Sequence, residues 1–453
     1  MHNSPLIATS PRPLGIRLSE LIGALSHALD ITEGQPEGHC IRCCWIGMHI
    51  GREIGLSESQ LWDLYYTLLL KDLGCSSNAA RICELYLTDD LRFKRDFKTV
   101  SDSLPKVLQF VLTHTGLKAG LAERFKHILT ILRDGRELAH ELIATRCQRG
   151  AEIARLLRFS DQVAAGIYSL DEHYNGQGKP DGLVAEAIPV FSRIALLAQV
   201  IDVFHTADGK EAALHEIQLR SGRWFDPMLV RAFEKIADDA FWATLGAKDI
   251  ALAVQALEPT SHEVVLDDDY FDDIATAFGQ IVDSKSPYTS GHSARVALYT
   301  DMIAMELGMS PERRRWIKRG ALLHDVGKLG VSNSVLDKAG KLDDEEWEAV
   351  KLHASYTETI LSRIPAFSEL ANVAGAHHER LDGKGYPRGI KESEIQLETR
   401  IITIADIFDA ITAERPYRGA TPVPRTLAIM TETVGSAIDA RCFEALQTAL
   451  ARG

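Results

Sequence analysis

Positive charge is in short supply: the 453-residue chain has 50 lysines and arginines against 63 aspartates and glutamates, a formal net charge of −13 at pH 7. That deficit argues against broad electrostatic attraction to nucleic acid or to an anionic membrane, so an anionic ligand would need locally placed metals and arginines. Also lacking is any apolar run of the roughly 18–20 residues that span a bilayer, and the N-terminus has no charged-then-apolar signal pattern. A cytoplasmic location is therefore expected. Alternating apolar and polar residues, the mark of a half-buried strand, are nearly absent. Cysteine is limited to Cys40, Cys43, Cys44, Cys75, Cys83, Cys147 and Cys442. Their odd number and apolar helical surroundings read as thiols in a reducing compartment. Cys40-x-x-Cys43 beside His39 has no second cysteine pair at ligand spacing, so small buried helix residues explain it better than zinc.

What is present is helical. Apolar residues recur at helical spacing over 18–30, 39–55, 58–73, 140–157, 191–206, 228–243, 270–284, 292–308, 311–325, 344–362, 366–378, 398–413 and 423–434. Ser310-Pro311-Glu312 and Asp343-Asp344-Glu345-Glu346 are helix starts, with a capping side chain and acids facing the dipole. The fold class read from this pattern is all-α. The length allows two or three domains.

His324-Asp325, in Ala321-Leu322-Leu323-His324-Asp325-Val326-Gly327-Lys328, is the most informative dipeptide. An apolar stretch delivers two adjacent metal-type ligands, and His353, His377-His378 and Asp406 follow at wide intervals. Imidazole and carboxylate suit divalent iron, manganese or zinc. One buried histidine is usually a hydrogen-bonded core residue; an ordered set on helices is a candidate metal centre. Two ions about 3.5–4 Å apart clamp the attacking and leaving oxygens of a phosphodiester and lower the pKa of water. Such a pair needs one bridging carboxylate, and Asp325 is the candidate.

The order His292-x-x-Arg295, His324-Asp325-x-Gly327-Lys328, His353, His377-His378-Glu379, Asp382-Gly383-x-Gly385-Tyr386-Pro387 and Asp406-x-x-Asp409-Ala410 resembles the HD-GYP proteins, a subgroup of the HD metal-dependent phosphohydrolases. The resemblance covers roughly residues 268–420. It implies an all-helical domain that hydrolyses cyclic di-GMP to linear pGpG, with GMP as a further product. It also implies two divalent ions, iron or manganese. His292, His324, Asp325 and Asp406 would hold one, and Asp325, His353 and His377 the other. His378 stays open between a ligand and an orienting neighbour. Lys328 would neutralise a phosphate oxygen, one turn beyond Asp325 on the same helix face. Arg415 and Arg418 would grip phosphate, a task that guanidinium forks suit. The glutamate that holds a third metal in some members is replaced here by Tyr288, which favours two. The loop Gly385-Tyr386-Pro387 would order the His377-His378 segment or dock diguanylate cyclase domains.

The first half repeats the second. Gly38-His39-Cys40-Ile41-Arg42 mirrors Gly291-His292-Ser293-Ala294-Arg295, and Lys71-Asp72-Leu73-Gly74-Cys75 mirrors His324-Asp325-Val326-Gly327-Lys328. Glu172 to Pro180 echoes Glu379 to Pro387, and Asp202-Val203-Phe204 echoes Asp406-Ile407-Phe408. Two tandem HD-type bundles are expected: 1–247, degenerate and regulatory or dimerising; 248–267, an exposed linker; and 268–453, catalytic. The first bundle is stretched by an insertion around 80–140. Lys71, Cys75, Arg146 and Leu170-Asp171 stand where the second has His324, Lys328, His353 and His377-His378. From the ligand set only His39, Asp72 and Asp202 survive, so no dinuclear centre is expected there. Instead of the Phe225-Asp226-Pro227 of the first unit, the second ends in Gly435-Ser436-Ala437-Ile438-Asp439-Ala440. Cyclic di-GMP hydrolysis is the leading reading. A non-catalytic HD-GYP signalling adaptor acting through protein contacts, or an HD phosphohydrolase for another nucleotide, cyclic or not, remain as alternatives; a related cyclic dinucleotide such as cyclic GMP-AMP stays open as substrate, and a homodimer is a further expectation.

Overall fold

The computed structural model describes residues 17–100, 104–117, 119–260, 262, 264–414 and 419–452. The fold is all-α: among the described residues helices are joined by turns, and β-pairing is limited to three isolated bridges. The expected helix starts cap as their sequences require. Ser310 accepts from Arg313 N at 3.3 Å and Asp343 from Glu346 N at 2.9 Å; Asp267 caps the helix Asp268–Asp283 in the same way, accepting from Tyr270 N at 2.8 Å.

The repeat is also a repeat of architecture. Leu18–Thr32, His39–Glu53, Glu58–Leu70, Asp161–Tyr168 and Val190–Asp208 recur as Asp268–Asp283, His292–Glu306, Pro311–Leu323, Ser368–Gly375 and Leu397–Thr412. The end of Leu121–Leu156 corresponds to Asp344–Ser362, and the same helices pack against one another in both units. One backbone contact defines the register. A Cβ on Gly327 would lie 1.9 Å from the His353 carbonyl oxygen, and one on Gly74 would lie 1.9 Å from that of Arg146. Each turn after the His-Asp or Lys-Asp pair therefore rests directly on the helix that carries His353 or Arg146, which only glycine permits.

Two sequence expectations change. The 248–267 segment is not an exposed linker: it contains the helix Ile250–Gln255, and Ile250, Val254, Leu257 and Leu266 are buried. Glu258 accepts from Ser19 Oγ at 2.6 Å and from Tyr66 Oη at 2.5 Å. Apolar residues spaced for burial outweighed the turn-like Glu-Pro-Thr-Ser composition. Second, the helix Val190–Asp208 is long and apolar enough to cross a membrane by length and composition, although the sequence reading found no such run. It is mostly buried in the core.

The principal core is continuous across both halves, from Leu21, Tyr66 and Phe225 through Phe271 and Phe278 to Leu329 and Leu361. Each such side chain contributes about 1.5–3 kcal/mol on burial. A second cluster (Val296, Ile317, Ile402, Phe408, Leu446) belongs to the second unit, and a small one (Ile82, Phe93, Phe110) to the insertion. The ending of the second unit keeps the geometry of the first despite its different residues. Arg400 Nη1 lies 2.8 Å from Asp439 as Arg193 Nη1 lies 2.5 Å from Asp226, and each aspartate accepts from a backbone N–H at a helix start.

Candidate metal centre

Five helices bring their residues together around Asp325. His292 opens the helix His292–Glu306, and His324 and Asp325 follow the end of Pro311–Leu323. His353 lies in Asp344–Ser362, His377 and His378 follow Ser368–Gly375, and Asp406 lies in Leu397–Thr412. All except His378 are buried.

The two oxygens of Asp325 face different partners. Oδ2 lies 3.4 Å from His292 Nε2 and 3.3 Å from His324 Nε2. Oδ1 lies 3.5 Å from His353 Nε2 and 3.8 Å from His377 Nε2. Asp406 Oδ1 completes the first group, at 3.4 Å from His292 Nε2 and 3.8 Å from His324 Nε2. The donor atoms of His353, His377 and His378 lie within 4.8 Å of one another.

Backbone and carboxylate acceptors orient the imidazoles. Nδ1 of His324, His353 and His377 lies 2.7, 2.6 and 2.6 Å from the carbonyl oxygens of Ala321, Val350 and Ala374. His292 Nδ1 lies 2.7 Å from Asp409 Oδ2, and Arg295 Nε donates to Asp409 Oδ1 at 2.6 Å. With Nδ1–H donated outward, each Nε2 presents a lone pair inward. His292 Nε2, His324 Nε2 and Asp325 Oδ1 are buried without a hydrogen-bond partner. Nε2 of His353 and His377 confront each other at 3.3 Å. Buried polar atoms left without a hydrogen-bond partner are expensive unless a cation joins them, so this set of nitrogen and oxygen atoms fits divalent ions.

Electrostatics divides the histidines. Burial would lower His324, but Asp325 and Asp406 overcome it and raise the imidazole to about 9; His292 is likewise raised. Burial depresses His353 to about 4 and His378 to about 3, and drives His377 well down. Against their own burial, Asp325 and Asp406 are held well below the usual carboxylate range, Asp325 by His324 and Lys328 and Asp406 by His292 and His324.

Lys328 Nζ lies 2.5 Å from Asp325 Oδ2. The two stand side by side one turn apart, but on a 3₁₀ turn and not on an α-helix: the α-helix stops at Leu323, and Val326–Gly330 is a 3₁₀ turn. The close rest of Gly327 on the His353 carbonyl imposes that break. Arg415 and Arg418 lie outside the described residues. Tyr386 is half-buried with its ring 4.8 Å from that of His378, and its N–H donates to the His378 carbonyl at 3.2 Å. Glu379 secures the same loop by accepting from the N–H groups of Arg388, Gly389 and Ile390 at 2.7, 3.1 and 3.1 Å. Sequence reasoning gave Asp409 and Glu379 no role. The signal for Asp409 was its place one helical turn beyond Asp406, beside an arginine one turn beyond His292.

The first unit shows what replaced the site. His39 Nδ1 lies 2.6 Å from Asp202 Oδ2, and Arg42 Nε donates to Asp202 Oδ1 at 2.5 Å. Asp202 therefore corresponds to Asp409, not to Asp406 as the sequence alignment had it. Gln199, one turn earlier, takes the Asp406 position. The Lys71 ammonium bonds Asp72, His39 Nε2 at 3.0 Å and Gln199 Oε1 at 3.1 Å. Those are the counterparts of Asp325, His292 and Asp406, so an internal cation fills the position. Arg146 pairs with Asp171 where the second unit has His353 and His378.

An HD domain family model matches residues 117–229 and 276–442. With the ordered HD-GYP motifs on this geometry, the chain belongs to the HD-domain family, in its HD-GYP group. It is 59% identical over 434 residues to the 3′3′-cGAMP-specific phosphodiesterase 3 of Vibrio cholerae, covering 96% of this chain and 94% of that one. It is 38% identical over 170 residues to a cyclic di-GMP phosphodiesterase of Thermotoga maritima, 37% of this chain and 46% of that one. A crystal structure of a cyclic GMP-AMP-specific phosphodiesterase from V. cholerae aligns with TM-score 0.65 and 54% identity, over 96% of this chain and 97% of that one.

Proposed function

We propose that the chain is a metal-dependent phosphodiesterase that opens a 3′3′-cyclic dinucleotide, 3′3′-cyclic GMP-AMP in first place. The observation that carries the reading is Asp325, whose two oxygens face two separate imidazole sets. His292, His324, Asp325 and Asp406 would hold one ion, and Asp325, His353 and His377 the other, with His378 beside it. Iron or manganese suits this nitrogen and oxygen set. A divalent pair there supplies a lowered water pKa and neutralisation of the phosphodiester. The chain's own residues do the rest. Asp409 and three backbone carbonyls hold the imidazoles in the tautomer that leaves Nε2 free. Lys328 provides a positive charge beside Asp325 for a non-bridging phosphate oxygen, and Arg415 and Arg418 would grip the second phosphate.

The relative that matches nearly the whole chain is specific for 3′3′-cyclic GMP-AMP by name, and this favours the mixed dinucleotide over the cyclic di-GMP expected from sequence. Cyclic di-GMP is the second reading, favoured by the Thermotoga relative over the matched portion only. The packing of Tyr386 on His378 supports an ordering role for the loop over a docking role.

The test is turnover of both dinucleotides by protein loaded anaerobically with Fe(II) or Mn(II), followed by chromatography. A linear product, formed faster from 3′3′-cyclic GMP-AMP and abolished in Asp325→Ala, is expected. About two ions per chain without turnover of either dinucleotide would refute the proposal.

A further inference from the structure

We infer that Asp90, in the insertion of the degenerate unit, is a positioning residue for the metal centre of the other unit; the inference rests on the reading of that centre given above. Asp90 opens the helix Asp90–Phe97 and is fully buried. All but one of its recorded side-chain partners lie some two hundred residues away, in the second unit. Oδ2 pairs with Lys285 Nζ at 3.3 Å, and Oδ1 accepts from Ser332 Oγ at 2.9 Å and Asn333 N at 2.8 Å. The remaining partner is Cys83 Sγ, at 3.6 Å from Oδ1.

These partners belong to the two segments that carry metal-facing side chains. Lys285 begins the short connection into His292, and Ser332 and Asn333 follow the turn that carries Asp325 and Lys328. The two segments are cross-linked on the same spot. Asn333 Nδ2 donates to the Lys285 carbonyl at 2.7 Å and to Asp337 Oδ2 at 2.6 Å, and Ser286 Oγ donates to Asp337 Oδ1 at 2.5 Å. Asp90 is thus the charged centre of a buried clamp that sets the His292 segment against the Asp325 segment. The second unit supplies no equivalent of this helix, because the insertion exists only in the first. The degenerate unit, its own metal position filled by Lys71, contributes this carboxylate to its neighbour.

The buried Lys285 makes the prediction sharp. Asp90→Asn keeps an acceptor for Ser332 and Asn333 but leaves the Lys285 ammonium buried without a carboxylate. It must then shift toward water and draw the 284–291 connection with it. Lys285→Met added to Asp90→Asn removes that pull.

The full chain, Asp90→Asn and the double variant are compared for Mn(II) binding by calorimetry, for the paramagnetic resonance of the loaded site, and for kcat and KM with 3′3′-cyclic GMP-AMP. Asp90→Asn should bind Mn(II) about tenfold more weakly, in the range found for residues that orient ligands. Its manganese spectrum should change and its kcat fall more than KM rises, with helicity kept. The double variant should recover the wild-type affinity and spectrum. Wild-type affinity and spectrum in Asp90→Asn, or a loss that the double variant does not recover, would overturn the inference. If Asp90→Asn does not fold, Ser332→Ala replaces it, and an unchanged affinity there overturns it equally. The metal readouts use no substrate, so a wild-type chain that hydrolyses no cyclic dinucleotide would defeat the functional proposal while Asp90 is still judged.

Discussion

Asp409→Asn tests whether the ring of acceptors behind the histidines is what makes the site a metal site. Asp409 receives two donors, His292 at 2.7 Å and Arg295 at 2.6 Å. The carboxylate is buried and can satisfy both; burial would raise it, but His292 and Arg295 hold it below the ordinary range. Asparagine matches the shape but offers one oxygen and one NH₂ group. One of the two donors must then face an N–H, and if Arg295 keeps the oxygen, His292 is driven to the tautomer with its proton on Nε2, pointing at Asp325 and Asp406. A metal would have to reverse that tautomer. Loss of such an orienting partner weakens metal binding roughly 10–100-fold, which corresponds to about 1.4–2.8 kcal/mol. Calorimetric titration of the metal-free variant with Mn(II), with helicity followed in parallel, measures it. Affinity within twofold of wild type would refute the argument that Asp409 sets the His292 tautomer.

In the metal-free chain His292 and His324 are both raised above their unfolded 6.5, so their contribution is complete below about 6.5 and is lost at higher pH, that of His324 as pH rises through about 9. His353, at about 4 when folded, works the other way: its contribution is complete above 6.5 and fades as pH falls toward 4. Thermal melting of the metal-free chain should therefore be highest near pH 6.5, and Mn(II) should raise the melting temperature more at pH 9 than at pH 6.5. A flat profile would contradict this. In the first unit, Lys71→Met leaves the buried Asp72 carboxylate without its cation and should destabilise by about 3–5 kcal/mol, read by denaturant melting. Adding Asp72→Asn should recover most of that loss, and Mn(II) stoichiometry should not change in either variant.

Much of the site was legible because metal chemistry restricts residue types and helices restrict spacing. The all-α pattern, the repeat and the set His292, His324, Asp325, His353, His377 and Asp406 could be written down from the chain alone. The substitution of Lys71 and Arg146 for two histidines was visible as well. What remained hidden depended on which atoms meet. Asp202 precedes Val-Phe as Asp406 precedes Ile-Phe, so the strings aligned them. Only the contact of Asp202 with His39 and Arg42 reveals it as the partner of Asp409. The break between Leu323 and Lys328 follows from a backbone approach to a helix some thirty residues away, which no local propensity encodes. The burial of Ile250, Val254, Leu257 and Leu266 and the reach of Asp90 into the other unit are of the same kind. Composition and periodicity determined which side chains this chain could bring to a metal; long-range packing decided which oxygen of Asp325 faces which imidazole, and that the degenerate unit shares the core of the other.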